Sequence, residues 1–365
     1  MCESRATTTA KEFCEVIRES NDEVSVSMSN IRHAIEFQLQ GRFEESLCEY
    51  MQVLASDPNN IGALNNVGHL LIEPGIIKDA SSFFLRAIEI APVYALAHNN
   101  LGNAYLNLGR AEEAIAAYNA AIISNPYYAM PHRNLALVYH LMGNTDNAIE
   151  EYKAYFSLAP DAEDAEAHYN LAAMLSERGK EDEAIQEYEK AVGINPRYAN
   201  AFNNLGLIYF SRGQLEQAAE SYTKALEADE DSTLARYNLA SACAAQGDYQ
   251  SAIKHLELIR EREPGNAQAI SNLGVLYSTT GRAGAAIPIF EKLLADEPDN
   301  PVFHFNLAVA YQEKGWRRKA EREFQKVVEL EPPDSRRAAR AQTELLSIKA
   351  SRPMRAEQER KTRRS

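Results

Sequence analysis

A glycine that returns every 34 residues constrains the fold of this chain more than any other feature. Aligning the chain on this period divides residues 27–334 into nine copies, and only Glu163 and Asp164 fall outside the register. A fixed period of this size is typical of proteins built by stacking one small unit, because each unit buries its apolar face only against its neighbours. The copies span 27–60, 61–94, 95–128, 129–162, 165–198, 199–232, 233–266, 267–300 and 301–334.

Several positions within each copy have a clear physical role. The recurring glycine is at position 15, where a residue just past a helix can adopt the left-handed conformation that favours glycine. Position 8 is Gly or Ala, and position 20 is Ala in every copy but the first, so two helices can approach closely. Position 32 is proline in eight copies and ends a second helix. The glycines are Gly41, Gly75, Gly109, Gly143, Gly179, Gly213, Gly247, Gly281 and Gly315.

This pattern of two helices joined at a glycine resembles the tetratricopeptide repeat (TPR) family. The resemblance implies an all-α fold, a right-handed superhelical solenoid of nine helix-turn-helix repeats. A coiled coil is disfavoured, because no heptad is sustained and glycine recurs throughout. Apolar residues at helical spacing predict a C-terminal capping helix over 335–350. We expect residues 1–26 to be partly disordered with a short capping helix, and 351–365 to be a disordered basic tail.

Some residues depart from the pattern. Pro288 is expected to kink the second helix of repeat 8 or to delay its start. Pro74 is tolerable at the end of the first helix of repeat 2. Repeat 1 is degenerate, with His33 where Leu is expected and Ser46 where Ala is expected, which is typical of an N-terminal cap.

Asparagine recurs in the first helix of the repeats, although it is a mediocre helix former. Position 6 is Asn in repeats 2 to 9, and position 5 is Asn in repeats 2, 3 and 6. These positions lie on a stripe that we expect to line the inner groove. With Asn103 of repeat 3, the candidate peptide-binding residues are Asn65, Asn66, Asn99, Asn100, Asn103, Asn134, Asn170, Asn203, Asn204, Asn238, Asn272 and Asn306.

Two interpretations of these asparagines remain open. The pattern is similar to the TPR superhelix of the O-linked N-acetylglucosamine transferases, which implies that a row of amides holds the backbone of a bound peptide. Nothing in the chain resembles the sugar-transferring domain of that family, so the resemblance implies binding and no catalysis. Alternatively, the amides bond within or between repeats and have a structural role, as Asn is common at this position across TPR proteins.

Other groove residues favour a peptide partner. Aromatic and amide residues accompany the asparagines, among them Phe210, Tyr237 and Gln312, and they suit protein recognition. Arg133 is the main basic residue, so the cluster of Lys and Arg that grips an acidic C-terminus in chaperone-binding TPR domains is missing.

The sequence disfavours catalysis, metals and nucleic acid. Four of the eight histidines share position 4, but successive repeats lie about 10 Å apart, too far to share a zinc ion with bonds of about 2 Å. No catalytic or nucleotide-binding motif occurs, so we expect no enzyme and no cofactor. The net charge of −14 would repel phosphates. Only residues 335–365 are basic, with 10 Lys and Arg against 3 Glu, and a solvated terminus is the favoured reading.

The remaining composition agrees with a cytoplasmic protein. Four cysteines are scattered without paired spacing, which fits a reducing compartment. The first residues contain no apolar signal core, and no apolar run is long enough to span a membrane.

The expected function is a non-catalytic scaffold or adaptor that holds a partner segment in the groove. A regulatory or targeting subunit that presents substrates to a separate enzyme is the alternative, and self-association through the end repeats is a third.

Overall fold

A computed structural model describes residues 26–72 and 77–350, and the regular secondary structure of this part of the chain is entirely α-helical. The expected helix near the N-terminus, Pro74, Gly75 and the basic tail 351–365 lie outside the described residues. The helices are α1 Val26–Leu39, α2 Phe43–Ser56, α3 Ile61–Ile72, α4 Ile77–Ile90, α5 Ala95–Asn107, α6 Ala111–Ser124, α7 Met130–Leu141, α8 Thr145–Leu158, α9 Ala165–Glu177, α10 Glu181–Ile194, α11 Ala199–Ser211, α12 Leu215–Ala228, α13 Thr233–Ala245, α14 Tyr249–Arg262, α15 Ala267–Thr279, α16 Ala283–Asp296, α17 Pro301–Glu313, α18 Arg317–Leu330 and α19 Arg336–Ala350.

The helices divide into two compact units, an N-unit that ends at Lys180 and a C-unit that begins at Glu181. The N-unit stacks the pairs α1–α2, α3–α4, α5–α6 and α7–α8, and α9 packs on α8. In the C-unit, α10 packs on α11, the pairs α11–α12, α13–α14, α15–α16 and α17–α18 follow, and α19 packs on α18. The prediction of an all-α fold of stacked helix pairs is confirmed. The repeat boundaries remain an interpretation of this helix order.

The recurring glycines occupy the left-handed conformation for which they were predicted. Gly109, between α5 and α6, has φ 71°. The turn around it is closed by backbone bonds, since the Arg110 N–H donates to the Tyr105 carbonyl at 2.9 Å. The seven other glycines of this set in the described residues also have positive φ, at Gly41, Gly143, Gly179, Gly213, Gly247, Gly281 and Gly315.

Small residues at position 8 set the distance between the two helices of a pair. Gly102 of α5 faces the ring of Tyr118 on α6, and a Cβ added to the glycine would lie 2.5 Å from Tyr118 Cε1. Tyr118 is fully buried there. In repeat 1, Ser46 replaces the expected alanine and is tolerated because its hydroxyl donates to the Ala34 carbonyl at 2.8 Å.

Pro288 does not delay the helix that contains it, so that alternative of the prediction is wrong. The helix α16 begins at Ala283 and runs through the proline to Asp296. Pro288 is the sixth residue of α16, beyond the N–H groups at the helix start that have no carbonyl partner. The helix therefore continues without the bond that residue 288 would otherwise donate to the Gly284 carbonyl.

The last helix, α19, buries one face of its own against α18. Ala338, Ala341, Leu345 and Ile348 are the buried residues of α19, as their spacing predicted. No helix among the described residues is long and apolar enough to cross a membrane.

Candidate functional site: the first-helix face

The surface formed by the first helices of successive pairs is the candidate site. First helices of neighbouring pairs contact each other directly, for example α3 with α5 in the N-unit and α15 with α17 in the C-unit. Positions 2, 5, 6, 9, 12 and 13 of the first helices lie on one helical stripe, and we call the surface that this stripe forms in each unit the first-helix face. All twelve asparagines that the sequence indicated belong to it.

The structure divides these asparagines by burial. Four are buried, namely Asn65, Asn99, Asn100 and Asn203. The other eight are half-buried, namely Asn66, Asn103, Asn134, Asn170, Asn204, Asn238, Asn272 and Asn306. A buried amide must find partners inside the protein, because an unpaired polar group costs about 1–3 kcal/mol there.

Most position-6 amides bond to the preceding repeat. Where that repeat has Asn at position 5, the position-6 Nδ2 donates to its Oδ1, as Asn100 does to Asn65 at 2.9 Å. Asn134 donates in the same way to Asn99 at 3.0 Å, and also to Asn103 at 3.1 Å. In the C-unit, Asn238 donates to Asn203 at 2.9 Å. These amides therefore link consecutive repeats.

Tyrosine supplies the acceptor in other repeats. The Nδ2 of Asn66 donates to the Tyr50 hydroxyl at 2.9 Å, and Tyr50 lies on the preceding second helix. The same bond joins Asn170 to Tyr152 at 3.2 Å and Asn204 to Tyr188 at 3.0 Å. In repeat 8, Asn272 donates at 2.7 Å to Tyr237, which is at position 5.

Asn306 differs from the other position-6 residues. Its preceding repeat has Ser271 at position 5 and Phe290 at position 24, so neither an amide nor a phenol is available at the usual places. Asn306 is half-buried, and among the described residues no side-chain hydrogen bond joins it to repeat 8. The stacking of the repeats, which places positions 5 and 24 of the preceding repeat beside position 6, explains this difference.

The first-helix face carries few charges. Across positions 2, 5, 6, 9 and 12 of repeats 2 to 9, and leaving histidine aside, only Arg133 and Glu166 are charged at neutral pH. Position 13, at the helix ends of the same stripe, adds acidic residues that include the exposed Glu177 and Glu313. Because a quarter of the whole chain is charged, this face stands apart from the rest of the surface.

Arg133 is itself neutralised. Its Nε donates to Asp164 Oδ2 at 2.6 Å and its Nη2 to Glu166 at 2.9 Å. Asp164, one of the two residues outside the repeat register, also caps α9 by accepting the Ala167 N–H at 2.9 Å. Burial pushes the pKa of the Asp164 carboxyl up, but the bonds from Arg133 and Ala167 outweigh it, and the pKa is lowered.

Replacing Asp164 with asparagine should destabilise the N-unit at neutral pH by about 1–3 kcal/mol, since the pair is partly exposed. A carboxyl with a lowered folded pKa contributes stability above its unfolded pKa of about 3.9 and loses it as the pH falls through the folded value. The difference between wild type and variant should therefore shrink below about pH 4. Amide hydrogen exchange in α9 measures this locally.

The control for this prediction is Asp146→Asn, because the Asp146 side chain is 72% exposed in its pair with Arg178. That variant should change stability by less than about 0.5 kcal/mol at either pH. An equal effect of both substitutions would show that Arg133 and Asp164 contribute no more than a surface pair.

Apolar side chains on the C-unit part of the face were missing from the predicted site. Leu207 is 45% exposed, Leu234 61%, Val275 38% and Val302 36%, and Phe210 lies beside them at 36%. The four aliphatic residues occupy positions 2 and 9, and only Phe210, at position 12, had been noted. Helical periodicity places these residues on the same stripe as the asparagines, but it does not distinguish an exposed aliphatic side chain from a buried one.

The position-4 histidines are held inside the fold. His304 lies between two acceptors, with Nδ1 2.6 Å from Glu323 and Nε2 2.8 Å from the Pro298 carbonyl. His132 lies 2.6 Å from Glu151, and His168 stacks on Phe156 with ring centroids 3.9 Å apart. These contacts belong to helix packing, and each histidine contacts a different group.

Comparison with known protein families identifies the repeat. Five family models match, and each is described as a tetratricopeptide or TPR repeat. Together they cover more than half of the chain, at residues 203–267, 102–143 and 174–211, 277–345, 83–116 and 134–162. The chain belongs to the tetratricopeptide repeat family. A TPR chain of this kind is a protein-interaction scaffold.

Several solved structures are similar to this chain. The C-terminal part of a TPR repeat-containing protein from Cytophaga hutchinsonii is similar with a TM-score of 0.54 and 18% identity, over 66% of this chain and 97% of that chain. MamA is 29% identical with a TM-score of 0.40, over 46% and 96%. YrrB, a TPR protein with an unusual peptide-binding site, is 22% identical with a TM-score of 0.45, over 51% and 95%. No curated protein matches the chain.

Proposed function

We propose that this TPR protein is a non-catalytic adaptor that binds an extended or helical segment of a partner protein on its first-helix face. The small number of charges on this face, beside its amides and exposed apolar side chains, is the observation that carries the proposal. A charged surface loses favourable hydration free energy when a partner displaces its water. An uncharged surface of amides and apolar side chains loses less.

The two units offer different contacts. In the N-unit the half-buried amides dominate, and their oxygen atoms and remaining N–H groups suit a peptide backbone. In the C-unit the exposed aliphatic residues and Phe210 suit apolar side chains of the partner. The four buried asparagines contribute indirectly, because they hold neighbouring repeats in register.

Leu207→Glu, Leu234→Glu and Val275→Glu, combined in one variant, should weaken partner binding at least about 10-fold, because the new charges must be desolvated in the complex. All three side chains are already exposed, so the variant should fold. Peptides selected from a displayed random library against the full-length wild type provide the probe, and fluorescence anisotropy gives their affinities.

A matched control adds the same three charges to the second helices of the C-unit. Thr223→Glu, Ala285→Glu and Gln325→Glu change exposed residues there, and this variant should bind within about twofold of wild type. If the control loses as much affinity as the face variant, general repulsion explains the loss. Peptides that bind both variants as tightly as wild type would overturn the proposed face.

A further inference from the structure

A second apolar surface lies at one edge of the N-unit, beside the first-helix face, with which it shares Leu96 and Met130. It consists of Val93 and Leu96, which precede and begin α5, Ile123 at the end of α6, and Tyr127 and Met130, which precede and begin α7. Val93 is 76% exposed, Ile123 81% and Tyr127 85%. We call these five residues the loop-edge patch.

The two loops of the patch are neighbours. Each leads directly into a first helix, and the two helices, α5 and α7, contact one another. The half-buried Tyr94 and Tyr128 follow Val93 and Tyr127, and burial together with the nearby Tyr94 raises the pKa of Tyr128. Exposed apolar side chains of consecutive repeats therefore lie along the same edge of the N-unit.

Hydrogen bonds order the backbone of both loops. Asn125 Oδ1 accepts the Tyr127 N–H at 3.1 Å, and the Tyr128 N–H donates to the Asn125 carbonyl at 3.1 Å. In the preceding loop, His98 Nε2 lies 2.9 Å from the Pro92 carbonyl. A loop whose backbone is already ordered loses less conformational entropy on binding.

The fold does not require apolar residues at this edge. The same turn, with an Asx oxygen accepting an N–H two residues on, recurs at Asn59, Arg197 and Asp231 at 3.2, 3.0 and 3.2 Å. These residues are equivalent to Tyr127, and all are polar. Position 29, occupied by Ile123, is glutamate in other repeats, as at Glu89 and Glu227. Because polar residues form the same turns in other repeats, the turns themselves do not account for the apolar residues at this edge.

From this comparison we infer that the loop-edge patch binds large apolar side chains of the same partner segment that lies on the first-helix face of the N-unit. Leu96 and Met130 belong to both surfaces at position 2, so a segment leaving the face at this edge meets the patch directly. The inference rests on the proposed function. It adds that the partner has a cluster of apolar side chains next to the segment that binds the first-helix face. A second copy of the chain is a poorer occupant, since five side chains make much less than the roughly 800 Å² per partner of a stable interface.

The test uses a displayed library of random peptides, long enough to span two repeats, selected against the full-length protein. The edge variant combines Val93→Asp, Ile123→Glu and Tyr127→Arg, each being the residue of an equivalent position. The face variant combines His69→Glu and His140→Glu, which change exposed residues on the first-helix face of the N-unit. Leu85→Glu, at an exposed leucine on the second helix α4, is the control.

Peptides with clustered Leu, Ile, Met or Phe should be selected, and both the edge and face variants should weaken them at least about 10-fold while the control stays within twofold. The edge variant should melt at the wild-type temperature, and a clearly lower one would overturn the inference by giving the patch a structural role.

Two further outcomes separate the inference from the proposed function. Peptides weakened only by the face variant would overturn the loop-edge patch and leave the proposed function intact. Peptides weakened only by the edge variant would contradict both the shared segment and the face in the N-unit. Sedimentation that shows a wild-type dimer absent from the edge variant would assign the patch to a second copy and also overturn the inference.

Discussion

Replacing Gly206 with valine should destabilise the C-unit by about 1–3 kcal/mol or more, through overpacking between α11 and α12. A Cβ at this position would lie 2.5 Å from Cε1 of Tyr222 and 2.7 Å from its Cδ1. Burial raises the pKa of Tyr222 to about 12, and the ring is 1% exposed, so it has no free space into which to move. The helices would have to separate, and neighbouring repeats stack on both of them.

Gly193→Val provides the control for this prediction. Gly193 lies in α10 of the same unit, and a Cβ there would meet no atom within 4 Å. Valine should be neutral or stabilise slightly there, by less than about 0.5 kcal/mol, because it is a better helix former than glycine. Urea denaturation monitored by circular dichroism measures both variants. A loss at Gly193 equal to that at Gly206 would show that the contact with Tyr222 does not cause the loss at Gly206.

Replacing Asn100 with alanine should cost about 1–3 kcal/mol, although alanine is the better helix former by roughly 0.5 kcal/mol. The Oδ1 of Asn65, which is 2% exposed, would lose the N–H that now reaches it at 2.9 Å. The cost should be reduced if Asn65 is replaced by alanine first, because the unpaired acceptor is then gone. A double-mutant cycle with both substitutions measures this coupling.

Asn306→Ala is the comparison within the same row of residues. Asn306 is half-buried and lacks the amide or phenol that repeats 2 to 8 find in the preceding repeat. Its replacement should therefore leave stability unchanged or raise it by a few tenths of a kcal/mol. If both alanine variants were neutral, the interrepeat bonds would contribute no net stability, and the position-6 asparagines would be explained by binding alone.

These two pairs of variants mark what could be predicted from residue patterns. The contact of Gly206 with a ring on the next helix follows from small residues at position 8 and large ones at position 24. The partner of Asn100 does not follow in this way. It depends on which side chain stacking places beside the amide, and that side chain lies 35 positions earlier in the chain.

The candidate site was predicted only in part, because the exposure of its residues also depends on how the repeats stack. Helical periodicity placed the asparagines on one stripe of the first helices, but burial divides that stripe. Asn99 is 4% exposed and therefore has a structural position, whereas Leu234 on the same stripe is 61% exposed. Hydrophobicity by itself ranks the two the other way round. The exposed apolar residues Val93 and Tyr127 were missed because they lie in loops, where no period applies.

The sequence by itself determined the repeat, the all-α fold, the glycine turns and the capping face of α19, because these depend on local backbone preferences and on a period repeated nine times. Only the tertiary structure decided which amides are used between repeats and which side chains remain exposed. Both depend on contacts between residues of different repeats, and no single repeat contains that information. The clearest example is the difference between Asn100 and Asn306. Both are asparagines at position 6 of a first helix, but only Asn100 has an amide partner in the preceding repeat.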